Sequence, residues 1–286
     1  MVRTNRFGYE SRILTSLKNT ETVSYFDDET ASKTTDEGRS SGFVSKEWNI
    51  GNNPNGGYLA CIALGATAQF SKEHKDPITV TAHFLRPGIP DTPCEISVES
   101  IRTGRTISTM RASLSQEDKP RVEVLASLGD LSRNNAVSKS IKIPAPKILP
   151  PDSCPQRSAE EQGILLPLLK RLDVRISPVH KELTASKAKV SGWIKLLDED
   201  SPSILSTILF ADAFPPSIFG LLGNIGWVPT LELTVQIRRK PSPGWIQGEF
   251  NTFDLYNGRM IEDGLLWDKS GNLIAQSRQT SLLLSR

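Results

Sequence analysis

The 286-residue sequence predicts an α+β protein of two modules, each an antiparallel sheet wrapped around one central helix. Three observations carry that expectation. The segment Tyr58 to Phe70 is small and apolar on nearly every side, and such a helix has to be enclosed by other structure. A second segment, Ser201 to Pro216, opens with helix-starting residues and places apolar residues at helical spacing. Each is followed by runs of alternating apolar and polar residues, so one order of elements occurs twice.

The totals exclude several function classes. With 34 basic and 32 acidic residues the net charge is +2, and no basic run is long enough to serve nucleic acid or an anionic membrane surface. No apolar run approaches the roughly 20 residues that cross a bilayer. Met1 to Leu17 mixes Arg3, Arg6 and Arg12 with Glu10 and lacks the apolar segment of a signal peptide. The expected compartment is cytoplasmic, and the ending Leu284-Ser285-Arg286, a departure from the S-K-L address, leaves the peroxisome open. Three cysteines, Cys61, Cys94 and Cys154, have no metal-ligand spacing and point to free thiols in a reducing compartment. There is no P-loop or G-x-G-x-x-G, so neither a metal nor a nucleotide cofactor is expected.

Taken in order, residues 1–40 are polar and partly flexible, with Asp27 to Gly42 read as a mobile loop. Gly38-Arg-Ser-Ser-Gly42 matches the G-x-S-x-G nucleophile elbow, but no apolar strand precedes it and no helix follows, so the match is read as chance. A strand from Phe43 to Ile50 leads into Gly51-Asn-Asn-Pro-Asn55-Gly56-Gly57, which opens the first helix. Strands at Ile78 to Leu85, Cys94 to Arg102, Thr106 to Gln116 and Val122 to Gly129 complete an N-terminal module, residues 1–130. Residues 131–163, with Pro144, Pro146, Pro150, Pro151 and Pro155, read as a linker. The C-terminal module, 164–286, then offers a strand near Ser191 to Leu197, the second helix, strands at Val228 to Ile237 and Trp245 to Asp254, a turn at Asn257-Gly258 and two final strands. Adding 154 carries Pro87 to Pro241 and Gly104 to Gly258, while the helices match at an offset near 146.

In the second helix Ser201 is the expected N-cap, Pro202 the first helical residue, and Pro215-Pro216 the stop. Ile204, Leu205, Ile208 and Leu209 form one stripe, and Asp212 continues it. A carboxylate on a burial face costs several kcal/mol unless partners are supplied, which marks Asp212 as a candidate functional residue. Asn55, Gly56 and Gly57 open a helix whose first amides could bind an oxyanion, or they form a tight turn. His83, on an alternating strand, is either buried and hydrogen-bonded or catalytic. Arg86, Arg105, Arg238, Arg239 and Lys240, at strand ends and turns, could meet phosphates or simply be solvated.

Asn55-Gly56-Gly57, His83-Phe84-Leu85-Arg86-Pro87-Gly88, Gly104 to Gln116 and Leu266 to Gln279 together resemble the type II acyl-CoA thioesterases, which carry two hotdog modules in one chain. The resemblance covers most of the chain from about residue 40, the linker apart. It implies a double hotdog and hydrolysis of an acyl thioester, on CoA or another carrier, by a water held by an Asp, a Thr and a Gln. The matching positions are Asp212, Thr230 and Gln279; Asn55, Gly56, Gly57 and His83 would meet the substrate. Two residues after Thr230 stands Glu232, where that family usually has Asp. Homo-oligomers are expected by the same analogy. Two rival readings stand beside hydrolysis. Double hotdogs include dehydratases that use a His and an Asp from different modules, so His83 with Asp212 could serve dehydration, isomerisation or cyclisation. The dehydratase H-x-x-x-G-x-x-x-x-P pattern is absent, since Gly88 comes one residue too late. The other rival is an acyl-CoA binding module without chemistry.

Overall fold

Two apolar helices need a covering, and one continuous sheet supplies it. The protein, a computed structural model, is described over residues 24–133, 139, 141–178, 187–198, 201–223 and 226–284; the expectations for Met1 to Leu17 and for Ser285-Arg286 lie outside these. The helices are α1 Tyr25–Thr30, α2 Gly56–Phe70, α3 Ala159–Gln162, α4 Ile204–Phe210 and α5 Phe219–Leu222. The first strands are β1 Lys33–Asp36, β2 Arg39–Val44, β3 Asn49–Ile50 and β4 Asn53–Pro54. Next come β5 Asp76–Phe84, β6 Thr92–Thr103, β7 Ser108–Gln116, β8 Lys119–Gly129 and β9 Leu172–Ile176. The chain ends with β10 Lys189–Leu196, β11 Thr230–Ile237, β12 Ile246–Tyr256, β13 Arg259–Trp267 and β14 Leu273–Leu282.

Twelve strands run in the order β1-β2-β6-β7-β8-β5-β11-β14-β13-β12-β10-β9, with β3 and β4 paired separately. The run β2-β6-β7-β8-β5 recurs reversed as β11-β14-β13-β12-β10, and the halves join where Val80 of β5 faces Val235 of β11. This is the double hotdog, an α+β fold. Residues Gly57 to Leu64 of α2 are all buried, as a helix apolar on every side requires. α2 and α4 cross antiparallel: the Cys61 thiol donates to Leu205 O at 3.2 Å, and a Cβ on Gly57 would come within 3.2 Å of Leu209 Cα.

The repeat is real, but in the strands its register is not the 154-residue spacing. Pro77 faces Leu128 as Thr230 faces Ser281, and a bulge follows each, at Pro77/Thr79 and Thr230/Glu232. Met110 faces Ala126 as Glu262 faces Gln279. The longer spacing holds in the turns, such as Gly104 and Gly258, because hairpin loops change length while the inward face of a strand cannot slip by one residue.

Several local expectations are corrected. The cap of α4 is Ser203, not Ser201: its hydroxyl accepts from Ser206 N while Ser206 Oγ accepts from Ser203 N, a capping box that outcompetes Pro202 as the start. The helix ends at Phe210, so Asp212 sits in the following turn. The strand expected at Phe43 to Ile50 lies earlier, at Arg39–Val44, and gives way to a 3-10 turn at Lys46–Trp48. Gly38, at φ 68°, belongs to the β1–β2 hairpin, so the G-x-S-x-G match is not an elbow.

Asp27 to Gly42 is not a loop but α1 and that hairpin, held by charge. Glu29 accepts from Trp48 Nε1 at 2.8 Å and forms a fork with Arg171, Nε and Nη2 each at 3.1 Å. Arg171 also stacks 4.1 Å from the Tyr25 ring, so this segment ties the N-terminal module to the C-terminal one. Glu29→Ala should lower stability by about 1–3 kcal/mol, since it leaves Arg171 and the Trp48 indole unpaired; chemical denaturation measures it.

The proline-rich segment is ordered over its described part. Carbonyls of Ile143, Pro146 and Leu149 accept from Trp267 Nε1 at 2.9 Å, Gln247 Nε2 at 2.7 Å and Trp193 Nε1 at 2.8 Å. Prolines lack an N–H, so at Pro144, Pro146 and Pro150 the extended strap has no backbone donor to place, while its carbonyls meet donors of the sheet. β9, which sequence reading did not anticipate, extends the sheet edge beyond β10.

Candidate active site

The antiparallel crossing brings the N-terminus of α2 against the turn after α4. Asn55 caps α2, its Oδ1 accepting from Tyr58 N at 2.9 Å, which fixes its amide. The other end, Nδ2, donates to Asp212 Oδ2 at 2.9 Å and to Asp212 O at 3.0 Å. Gly57 N–H donates to the same Oδ2 at 2.7 Å. A carboxylate at the start of a 15-residue helix also gains from its dipole. Asn55 Nδ2 and Gly57 N–H, two of the donors expected to cradle a substrate oxyanion, are therefore spent on Asp212, while Asn55 and Gly56 both line the cavity. The two glycines are required by contact: a Cβ would lie 2.8 Å from Phe84 Cε1 at Gly56 and 2.9 Å from Asp212 Cβ at Gly57.

Asp212 opens onto a cavity of about 240 Å³ between the modules. Leu59, Phe84, Phe214, Trp227 and Phe250 give it apolar walls, and Thr230, Gln279, Glu262 and Ser281 give it one polar side. Of the five basic residues proposed for phosphates, Arg86 alone lines it; Lys240 pairs with Asp76 at 3.3 Å elsewhere. Burial pushes the Asp212 carboxyl up to about 6, the Gly57 amide opposes this, the neighbouring Glu262 adds to it, and Asn55 and Arg157 pull it down. Arg157 is buried, donates to Ala213 O at 2.7 Å, and stays cationic although burial lowers it to about 10.

Thr230 reaches this cavity because of a bulge. Strict alternation with Leu233, Val235 and Ile237, which face the core, would turn it outward beside Glu232 and Thr234. The extra residue at Thr230/Glu232 reverses that, and Thr230 Oγ1 donates to Gln279 Oε1 at 3.3 Å while accepting from Ser281 Oγ at 3.3 Å. Gln279 Nε2 in turn donates to Glu262 Oε1 at 2.6 Å, and Glu262 Oε2 accepts from Ser217 N at 2.6 Å.

His83 is not part of this set. It is exposed on the outer face of β5, opposite to the inward Val80 and Ala82, between Glu232 and Glu123 on the adjacent strands. Its exposure overturns the buried reading, and it is not among the residues that line the cavity. Sequence reading missed Glu262 and Arg157. The same criterion that found Asp212 applies to Glu262, a carboxylate among the inward positions Met260, Gly264 and Leu266. Arg157 gave no signal inside a segment read as linker.

The first module keeps the geometry without the polar groups. Pro77, Ala126, Met110 and Leu128 stand where Thr230, Gln279, Glu262 and Ser281 stand in the second. The matching cleft, at the far end of α2 and the start of α4, is lined by residues such as Leu64, Ala68, Pro77 and Leu205.

Residues 44–129 match the acyl-CoA thioesterase N-terminal domain, and residues 151–283 match the C-terminal domain. The chain belongs to the acyl-CoA thioesterase family. Like its relatives of the type II, TesB-like branch, it is a thioesterase-type hydrolase. Among solved structures, a Thermobifida fusca protein assigned as a thioesterase II superposes with a TM-score of 0.80, at 26% identity over 92% of this chain and 99% of that one. A hot dog fold protein of unknown function from Alicyclobacillus acidocaldarius gives 0.80 at 21% identity, over 91% and 98%, and bears on the fold alone. An uncharacterised Mycobacterium tuberculosis protein is 25% identical over 273 residues, 85% of this chain and 90% of its own. Among the described residues, no helix of this thioesterase is long and apolar enough to cross a membrane.

Proposed function

We propose that the chain hydrolyses an acyl-CoA by direct attack of a water held between Asp212 and the Thr230–Gln279 pair. The observation that carries this reading is the setting of Asp212. Both described donors occupy Oδ2, so Oδ1 is the edge left for a water, and the surrounding cavity is apolar enough to hold an acyl chain. A carboxylate near pKa 6 is ionised at neutral pH yet basic enough to take a proton. Gln279 Oε1 offers the water a second acceptor, directing its lone pair at the thioester carbon. The water oxygen bonds to that carbon as its proton passes to Asp212, and the Gly56 amide is the candidate donor to the oxyanion. Collapse breaks the C–S bond, and Asp212 returns the proton to the leaving thiolate. Products are a carboxylic acid and CoA thiol.

The dehydratase-type alternative loses its histidine, because His83 lies on the opposite face of the sheet from the cavity. A thiol-release assay across short, medium, long and aromatic acyl-CoAs tests the proposal, with free thiol and acid in equal amounts expected. An unchanged thioester bearing a rearranged acyl group would overturn it, and tight binding without turnover would point to a binding module instead.

A further inference from the structure

Glu262 is a second carboxylate buried beside the cavity, 3% exposed, and the hydrolytic step just described does not use it. Burial pushes its carboxyl up, and its hydrogen-bond partners are neutral: Ser217 N–H on one oxygen and Gln279 Nε2 on the other. Such an arrangement is costly, and a Met or Leu at this inward strand position would pack without that cost. What the carboxylate supplies is direction. The Gln279 amide has a donor end and an acceptor end of nearly equal size, and a strand position alone does not choose between them. Both Glu262 oxygens accept here, Oε2 from Ser217 N and Oε1 from Gln279 Nε2 at 2.6 Å, so the amide presents its NH2 end to Glu262 and its oxygen is turned toward Thr230 and the cavity. Reversal would set two acceptor oxygens against each other.

We infer that Glu262 is a positioning residue that makes Gln279 present its oxygen, rather than its NH2, to the reacting water. The inference rests on the hydrolytic reading above and deepens it. With two acceptors, Asp212 Oδ1 and Gln279 Oε1, a water points both protons away from the substrate. With the amide reversed, Gln279 would donate to that water and tie up the lone pair that has to attack. Ser217 belongs to the same support: its N–H holds Glu262 Oε2, and its hydroxyl is anchored to Thr252 Oγ1 at 2.8 Å, next to the bulge in β12.

Glu262→Gln keeps an acceptor for Ser217 N–H only by turning its NH2 end toward Gln279, which favours the reversed Gln279 amide. It should lower kcat roughly tenfold to a hundredfold with KM within about twofold, the range for a misdirected proton-transfer partner. In a Gln279→Ala background, Glu262→Gln should cost almost nothing further, because Glu262 acts through that amide. A folded Glu262→Gln variant with wild-type kcat, or losses that multiply in the double variant, would overturn the inference. A readout independent of turnover separates its failure from that of the hydrolytic reading. In 15N-labelled protein one Gln279 side-chain amide proton should resonate far downfield, and Glu262→Gln and Glu262→Met should both return it to the ordinary range. An unchanged resonance in either variant would sink the assignment even if no thioester proved to be a substrate.

Discussion

Asp212→Asn should abolish hydrolysis, lowering kcat about a thousandfold while leaving acyl-CoA binding nearly intact. The substitution keeps the shape and can still accept from Gly57 N–H and Asn55 Nδ2, but it removes the base. Steady-state kinetics with a thiol reagent, alongside calorimetric binding of the substrate, measures both halves of the statement. The wild-type pH profile should carry the same signature. The base works when ionised, so kcat/KM should rise with pH through about 6 and level off above it. Stability should move the opposite way. The folded carboxyl lies above its ordinary value of 3.8, so the folded protein holds the proton more tightly than the unfolded chain. Stability from this group is greatest below about pH 4 and is lost as pH rises toward 6, by up to about 3 kcal/mol. Asp212→Asn should therefore unfold at a higher temperature than wild type at pH 7. A variant that is inactive and less stable would indicate a structural carboxylate instead.

Gly57→Ala is expected to damage the site and the helix packing together. The added carbon would stand 2.9 Å from Asp212 Cβ and 3.2 Å from Leu209 Cα, and a backbone atom cannot rotate aside as a long side chain would. Either α2 and α4 separate or the turn bearing Asp212 shifts, and both break the 2.7 Å bond from the Gly57 amide. Overpacking of this kind costs about 1–3 kcal/mol, and displacement of a catalytic group by about 1 Å costs about a hundredfold in rate. Thermal unfolding and kcat measured on one preparation would check the two together. A normal rate at reduced stability would mean that Asp212 does not depend on this amide.

Much of this site could be read from the chain alone, and the exceptions have physical causes. Asp212 was visible because carboxylates do not sit on apolar stripes without partners, even though the capping box at Ser203 shifts the helix start and the helix ends before the aspartate. Gln279 and Thr230 were named by resemblance. Alternation alone would have turned Thr230 outward, because a bulge leaves no mark in composition. His83 illustrates the opposite error. Its chemistry drew notice, while the parity set by Val80 and Ala82 had already assigned it to the outer face. α1 and the β1–β2 hairpin look like a loop in the sequence because the polar residues there, Glu29 among them, are partnered by Trp48 and by Arg171 from the distant module. A local window of sequence does not contain that partner. The strap over β10, β12 and β13 was legible as proline-rich but not as ordered, since its anchors are indole and amide donors elsewhere in the chain.

The apolar set Pro77, Ala126, Met110 and Leu128 has a kinetic meaning. A chain with two equivalent reaction centres could alternate between them, one loading while the other discharges. Among the described residues the proposed water-handling groups occur in the second module alone, so within a single chain the rate should saturate hyperbolically with substrate. Any sigmoid dependence would have to come from contacts between chains, and a tight-binding inhibitor of the reaction should titrate one equivalent per polypeptide.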